Sequence, residues 1–584
     1  MSSFRQNIMV GFCLMATSFV QGQNSDMYSH TTALEPYVVR YGHDVQAVNY
    51  FYGPMPKGRS YQRFAASPQQ IDRLIALDQT YLKELNELDY QHLPTGGQVD
   101  YQLLKRKIAR NTEDLKKDQQ TYARLEGYLP FASVIYNFEQ TRRRGHALDA
   151  KKLATDLQHV SRQLHEKSKE IKTGKAIPSA DVTFLTNALE SLKQRLTSAF
   201  EFYNEYDPEF TWWVPTSFAD VNERLDEYKE ALQSKSDWQV FDDGSNIGGQ
   251  PIGKAMLNQK LQDESIAYTA DELLKIADKE WAWCVKELLK ASREMGFGDD
   301  WRAAQEKVKN TYVPVGKQPE LINQLYDKAQ AFIQQNNLMD IPPLADETWG
   351  MIMMTPERQL VNPFFTGGRE ISISYPTNNM SYDQKVMSMR GNNPHFSLGT
   401  VQHELVPGHH LQYFMNRRYK PYREQHFNTP FWTEGWTLYW ELLLYRMGFA
   451  QTPEERIGML FWRMHRCARI TFSIKFHLGE WTPQQCIDYL VNEVGHEPAN
   501  AHGEVKRSFE GSYDPLYQLA YMIGGLQLLS ISDELVGSGK MSYAEFHDRV
   551  IKENYLPMEM LRAILTDQKL PMNYKPTWKF YDFK

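Results

Sequence analysis

The sequence predicts a mainly helical protein with one small sheet directly upstream of a histidine cluster. Three observations carry this. Long runs repeat apolar residues at helical spacing, and several open with capping sequences. One short segment alternates apolar and polar residues as a strand does. From Thr429 to the end the helical pattern is nearly continuous.

Taken in order, the first residues, "MSSFRQNIMVGFCLMATSFVQG", carry one positive charge, Arg5, and then an apolar run from Ile8 to Val20. Residues 1–22 read as a secretory signal peptide, too short to span a bilayer, so the product is expected to be exported to the periplasm or secreted. Cys13 follows Phe12 inside the apolar run, a poor context for lipid attachment. Residues 23–66 are rich in Tyr, Gly, Pro and Ser without a sustained period, and an irregular segment is expected there. The stretch "SPQQIDRLIALDQTYLKELNEL" then puts Ser67 at a helix cap, Pro68 in the first turn and Gln70 at the capping-box position. Its Ile71, Leu74, Ile75, Leu82 and Leu85 share one stripe. Further helices are expected over roughly 98–125, 147–173, 178–206 and 217–234. Thr269 and Glu272 open another with a capping box, and Gly296 stops it. Near residue 340 the chain becomes Pro-rich. "GGREISISYP" then alternates Ile371, Ile373 and Tyr375 against Glu370, Ser372 and Ser374 before Pro376 ends it. The expected organisation is a helical subdomain over 67–345 and a metal-binding subdomain over 346–584, with a cleft between the two.

The composition suits this reading. Of 584 residues, 42% are hydrophobic and 13% aromatic, enough to fill a large core. A net charge of −7 with no obvious cluster excludes nucleic acid and anionic membrane surfaces as partners. Beyond residue 22 the cysteines are Cys284, Cys467 and Cys486. An odd, sparse set is not a disulfide framework, although a Cys467–Cys486 bridge stays open. No later segment is long and uncharged enough to span a membrane.

The chemistry is concentrated in "HELVPGHH", residues 403–410. The zinc-protease pattern H-E-x-x-H sets two histidines one helical turn apart with a glutamate as base beside the first. Here Pro407 stands where the second histidine belongs. On a regular helix a six-residue offset turns by about 600°, leaving His409 on another face. His410 returns to the His403 face about 10.5 Å further along, too far for two imidazoles to share one zinc at about 2.0–2.1 Å each. A regular helix therefore cannot build the site. Pro407 has no N–H for the carbonyl of His403, and Gly408 permits unusual backbone paths. The pair can loop two residues outward and bring His409 to the position of an i+4 ligand, with His410 as the alternative. Glu404 then stands as general base for a metal-activated water.

A third ligand is expected 25 residues after His409, in "TPFWTEGWTLYWELLLYRMGF". Thr429 and Pro430 open a helix, and Glu434 follows one turn in among Phe431, Trp432, Trp436 and Tyr439. A carboxylate in such surroundings needs a partner. A metal is one; Arg446 or a backbone amide is another. Glu441, seven residues on, is the alternative ligand or an acceptor for a histidine N–H.

These segments, with "ARITFSIKFHLGEWTPQQCIDYL" and "EVKRSFEGSYDPLYQLAYMIGGLQL", resemble the bacterial family of domain of unknown function 885, whose members are mostly exported and regarded as metallopeptidases. The resemblance covers roughly residues 250–540. That family is in turn distantly similar to the helical gluzincins, the thimet-oligopeptidase, angiotensin-converting-enzyme and carboxypeptidase Taq groups. The resemblance implies a large helical gluzincin-like fold with a small antiparallel sheet beside the metal helix and a deep central cleft. Carried over, His403, His409 and Glu434 match the ligands of one Zn2+ and Glu404 the base. The family's D-T-G-x-H reads "SIKFH" here, keeping His477 without the aspartate. The thimet-type tyrosine turn, whose phenols steady the reaction's oxyanion, corresponds to "GSYDPLYQLAY" with Tyr517 and Tyr521. In such enzymes a strand upstream of the metal helix pairs with the substrate backbone, which makes Tyr375 a substrate-binding candidate. Arg507 is a candidate for a substrate carboxylate or for a tie between helices; His502 and Glu504 are weaker candidates.

The leading expectation is thus a zinc metallopeptidase acting on peptides or short oligopeptides. The alternatives are a catalytically inactive helical peptide-binding or scaffold protein, and a metal amidohydrolase acting on a non-peptide amide. The sequence leaves oligomeric state open.

Overall fold

A computed structural model describes residues 31–53, 66–238, 240–359, 365–510 and 513–583. The expected signal peptide, residues 1–22, lies outside the described residues. The protein is mainly helical. It divides into two compact units, one of Pro36–His92 and Tyr101–Gln239, the other of Leu93–Asp100 and Val240–Lys584 with the described residues before Pro36.

The smaller unit is built from Glu35–Tyr52 (α1), Pro68–Asn86 (α2), Thr95–Leu125 (α3, which starts in the other unit), Ala132–Arg144 (α4), Ala150–Thr173 (α5), Ser179–Tyr203 (α6) and Pro215–Gln233 (α7). Five of these, α2, α3, α5, α6 and α7, lie within a few residues of their expected bounds. α1 falls where an irregular segment was expected. Val38, Tyr41, Val45, Val48 and Tyr52 in fact recur at helical spacing and turn one face inward; side chains also tie the helix to α2, with the Tyr41 hydroxyl on Asp78 (2.9 Å) and the Tyr81 hydroxyl on Asp44 (2.6 Å). Ser67 caps α2 as expected, but the box is not completed: the Gln70 amide donates to Asn49 instead. The core gathers Phe131, Leu157, Leu192, Phe210 and Tyr228.

In the larger unit, Ala270–Glu294 (α8) opens with both bonds of the Thr269–Glu272 capping box and stops before Gly296, which turns at φ +86°. α8 buries Cys284 and Leu288 in one core with Phe461 and Met464 of a later helix. The apolar face of α8 thus belongs with the histidine-bearing half of the chain, and the units part at 239/240, where the sequence reading divides subdomains at 345/346.

The sheet has two strands, Met351–Met353 (β1) and Ile371–Ile373 (β2), paired in parallel with Met351 opposite Ile371. The expectation of an antiparallel sheet is corrected: the chain crosses back past the short helix Pro356–Gln359 and enters β2 from the same end. The alternation over 370–375 yields only three strand residues, and residues 371–374 are all buried. On its other side Ser372 exchanges two backbone hydrogen bonds with Thr366, 2.7 and 3.2 Å, so that residue has strand neighbours on both sides.

The helical region beginning at Thr429 ends at Leu565, short of the expected C-terminus, because Pro571 and Pro576 interrupt the remaining residues. All three described cysteines are free and buried; Cys467 lies against Cys284, and the Cys486 thiol faces the Phe472 carbonyl. Among the described residues no helix is long and apolar enough to cross a membrane.

Candidate metal centre

The histidine motif straddles a helix break. Pro394–Glu404 (α9) is opened by Asn393, whose side chain accepts from the N–H groups of His395 and Phe396, and it ends with His403 and Glu404 in its last turn. Leu405–Gly408 turn out of the helix, and His409–Asn416 (α10) restarts it. The His410 N–H reaches back to the Leu405 carbonyl at 3.1 Å. Pro407 supplies no donor to the ladder. Gly408 is required by space: a Cβ there would stand 1.9 Å from the carbonyl oxygen of His403 and 2.4 Å from that of Gln402. Its φ of −80° shows that close approach, not a left-handed turn, demands the glycine. Two side chains pin the loop, Gln330 on the Val406 carbonyl (3.0 Å) and the Trp436 indole N–H on that of Pro407 (2.8 Å).

The carboxylates come from Pro430–Arg446 (α11), capped by the Thr429 hydroxyl and buried around most of its circumference. Three helices complete the surroundings: Pro453–His477 (α12), Pro498–Phe509 (α13) and Tyr517–Leu535 (α14). α11 crosses α14 where two glycines touch. A Cβ on Gly435 would lie 2.8 Å from the Cα of Gly524. That contact sets Glu434 beside Tyr517 and Tyr521.

The three expected ligands converge. His403 Nε2 and His409 Nε2 lie 3.6 and 3.3 Å from Glu434 Oε2, and one ligand atom from each residue falls within 4.8 Å of the others. Ligands held tetrahedrally at about 2.05 Å from a zinc ion stand about 3.3 Å apart, close to the two distances from the imidazoles to Glu434 Oε2. Glu434 Oε2 is buried without a hydrogen-bond partner, whereas Oε1 accepts from the Tyr517 hydroxyl at 2.5 Å. An orphaned buried carboxylate oxygen facing two imidazole nitrogens is what a cation site requires. The remaining imidazole nitrogens are oriented from behind. His403 Nδ1 meets Glu441 Oε1 at 2.6 Å, and His409 Nδ1 faces Gln412 Oε1 at 3.4 Å, with the Gln412 amide donating to the Trp432 carbonyl. Glu441 thus orients the His403 ring. His410 has both nitrogens against backbone carbonyls, of Arg369 (3.0 Å) and Ala345 (2.9 Å), and is absent from the ligand set.

The electrostatics follow from burial beside carboxylates. Burial alone disfavours a charged His403, but the carboxylates of Glu434 and Glu441 beside it outweigh that and push its pKa up to about 9. Burial also acts against a charged Glu434; the two histidines more than offset it and hold that carboxyl well below its ordinary range. Glu404 is raised, by burial first, against the pull of His403 and His409. A carboxylate with increased proton affinity beside the ligands suits a general base. The backbone of Gly367 covers it: a Cβ there would stand 2.3 Å from Glu404 Oε2.

Other expected residues are distributed unevenly. The Tyr521 ring stacks on that of His403, centroids 6.2 Å apart, and the guanidinium groups of Arg466 and Arg469 lie 4.8 and 4.3 Å from its centre. Tyr517 has its hydroxyl on Glu434 and so positions a ligand. Arg507 pairs with Glu504 at 2.5 Å; Glu504 also accepts from Arg469, tying α13 to α12. His477 packs against Phe476 and Phe509, where burial lowers its pKa to about 4, and it is not brought to the ligands. His502 faces the Ser245 carbonyl. Tyr375 follows β2 with its N–H on Gln359. Arg446 pairs with Asp533, not Glu434. Sequence reasoning missed Gly367, Gln412, Arg466 and Tyr413, whose ring lies 6.4 Å from that of His409. Tyr413 and Gln412 were within reach of a helical-spacing argument, standing four and three residues after His409.

No curated protein matches the chain. Among solved structures, a protein titled "putative lipoprotein of unknown function" from Shewanella oneidensis is similar over 92% of this chain and 100% of its own, with a TM-score of 0.62 at 16% identity. A second, titled "putative lipoprotein", from Colwellia psychrerythraea, is similar over 91% of this chain and 98% of its own, with a TM-score of 0.56 at 14% identity. At these identities the likeness is one of fold. Residues 57–565 match the family described as bacterial protein of unknown function, DUF885, and the chain belongs to that family.

Proposed function

We propose that this protein is an exported zinc-dependent peptidase that hydrolyses peptides or short oligopeptides. The observation that carries the reading is the convergence of His403, His409 and Glu434 Oε2 within 4.8 Å of one another, both imidazole nitrogens 3.3–3.6 Å from that oxygen, with Glu404 beside them. Two imidazoles and a carboxylate form a zinc donor set that leaves a position for substrate. An ion held there supplies Lewis acidity, making a water more acidic and polarising a carbonyl. Glu404 takes up the proton, which its raised proton affinity favours, and returns it to the departing amine. Gly367 confines the Glu404 carboxylate. Glu441 and Tyr517 fix the rotamers of His403 and Glu434. Tyr521, on the next turn of α14 after Tyr517, is the proposed hydroxyl donor to the developing oxyanion; Arg469, Arg507 and Arg466 oppose the effect of burial on its phenol. The apolar N-terminal run and the lipoprotein titles of the two similar structures support export.

The test is Glu404→Gln. The variant is expected to keep its zinc while losing about 10²–10⁴-fold in peptide turnover, because the ligands remain and the base is removed. A zinc-loaded Glu404→Gln protein with unimpaired turnover would refute the assignment.

A further inference from the structure

We propose that the cavity adjoining the metal centre is a subsite for a carboxylate carried by the substrate. This rests on the peptidase reading and narrows its substrate class.

The cavity, about 380 Å³, is lined by Arg369, Arg417 and Arg418 around the apolar surfaces of Leu344, Tyr413 and Phe414. No acidic residue lines it. Three cations in one cavity oppose the sign of the whole chain, whose net charge is −7. Among the described residues no carboxylate forms a salt bridge with any of the three. Glu424 feels the field of Arg417 without pairing with it. Arg418 is braced by stacking, its guanidinium carbon 3.4 Å from the centre of the Phe414 ring, with one N–H on the Phe414 carbonyl. A planar fork held in place this way is suited to a carboxylate, which it meets with two parallel hydrogen bonds.

Three contacts join the cavity to the proposed reaction centre. Gly368, in its wall, follows Gly367, which covers Glu404. His410, also in the wall, follows the ligand His409. Tyr413, which lines the cavity, has its ring 6.4 Å from that of His409, and its hydroxyl feels Glu434, Glu424 and Glu404 as well as Arg417. One residue of extended peptide spans about 3.3–3.6 Å, so a carboxylate in the cavity belongs to a residue within a few positions of the bond cut. Both an acidic side chain and the C-terminal carboxylate of a short peptide have this chemistry.

The experiment measures equilibrium binding, independent of turnover, on zinc-loaded protein carrying Glu404→Gln. Four fluorescent peptides of one scaffold are compared: Glu or Gln near the centre, each with a free or amidated C-terminus. At least one carboxylate is expected to tighten binding about tenfold over the neutral Gln amide, with the preference shrinking as salt is raised. The arm showing the gain identifies the source. Replacing the three exposed arginines together, Arg369→Gln, Arg417→Gln and Arg418→Gln, is expected to abolish the preference and leave the neutral peptide's affinity within about twofold. Equal binding of all four peptides, no binding of any, or equal losses for neutral and acidic peptides in the arginine variant would overturn the subsite. Selective binding together with wild-type protein that cleaves no peptide would overturn the peptidase reading and leave the subsite standing.

Discussion

In the proposed reading the helix break at Pro407–Gly408 determines whether His409 can reach a metal ion, and Gly408→Ala perturbs it by one methyl group. The added Cβ would lie 1.9 Å from the carbonyl oxygen of His403, whereas real Cβ contacts are essentially never under 3.0 Å. The chain at 408 or at 403 must therefore move by about 1 Å, and both positions are tied to ligands. Zinc sites keep their distances within about 0.2 Å, while the two imidazoles stand only 3.6 and 3.3 Å from Glu434 Oε2. A shift several times that tolerance removes one ligand from range. Zinc affinity is expected to fall by at least about 100-fold, the upper end of what loss of orienting contacts produces. Overpacking should destabilise the metal-free fold by only about 1–3 kcal/mol. Competition against a chromophoric chelator reads the affinity, and circular dichroism checks that the helices persist. A folded Gly408→Ala protein with wild-type zinc affinity would refute the reasoning that close packing at the break builds the site.

Two further outcomes are expected. Glu441→Ala removes the acceptor behind His403 and should weaken zinc about 10–100-fold, less than Glu434→Ala; the reverse order, in the same chelator competition, would make Glu441 the ligand. His547 supplies a pH test through a group outside the candidate ligand set: it is fully buried between the Leu338 carbonyl (2.8 Å) and the Tyr439 hydroxyl (2.7 Å), and burial lowers its pKa to about 3. A folded-state pKa below the unfolded value of about 6.5 contributes stability that is complete above pH 6.5 and is lost as pH falls toward 3. Its share of the loss at pH 5 is about 2 kcal/mol, so urea unfolding of wild type at pH 7 and pH 5 should differ by more than that of His547→Gln. Identical pH dependences would contradict this.

What was legible in the sequence is what local chemistry specifies. The Thr269–Glu272 capping box needs four consecutive residues, and it forms as read. The convergence of His403, His409 and Glu434 was legible because a proline and a glycine announce a break, and a glutamate among tryptophans announces a need for a partner. The parallel pairing of β1 and β2 depends on how the chain returns between 353 and 371, which no alternation within GGREISISYP encodes. α1 was readable from the spacing of Val38, Tyr41, Val45 and Val48, whereas its ties to Asp78 and Tyr81, on another helix, were not. Gly367 meets Glu404 across 37 positions of sequence, and Tyr517 spans 83 to Glu434. Such contacts are properties of packing. Glu441 shows the intermediate case: its helix face was readable, but whether it binds an ion or a histidine N–H is decided by which imidazole nitrogen it meets.

The most direct test is the metal content of purified protein after zinc loading and dialysis, for wild type and Glu434→Ala side by side. The account predicts about one zinc per wild-type chain and almost none in the variant, since the carboxylate supplies one of three ligands. Wild-type protein that retains no zinc, or a variant that retains as much as wild type, would contradict it.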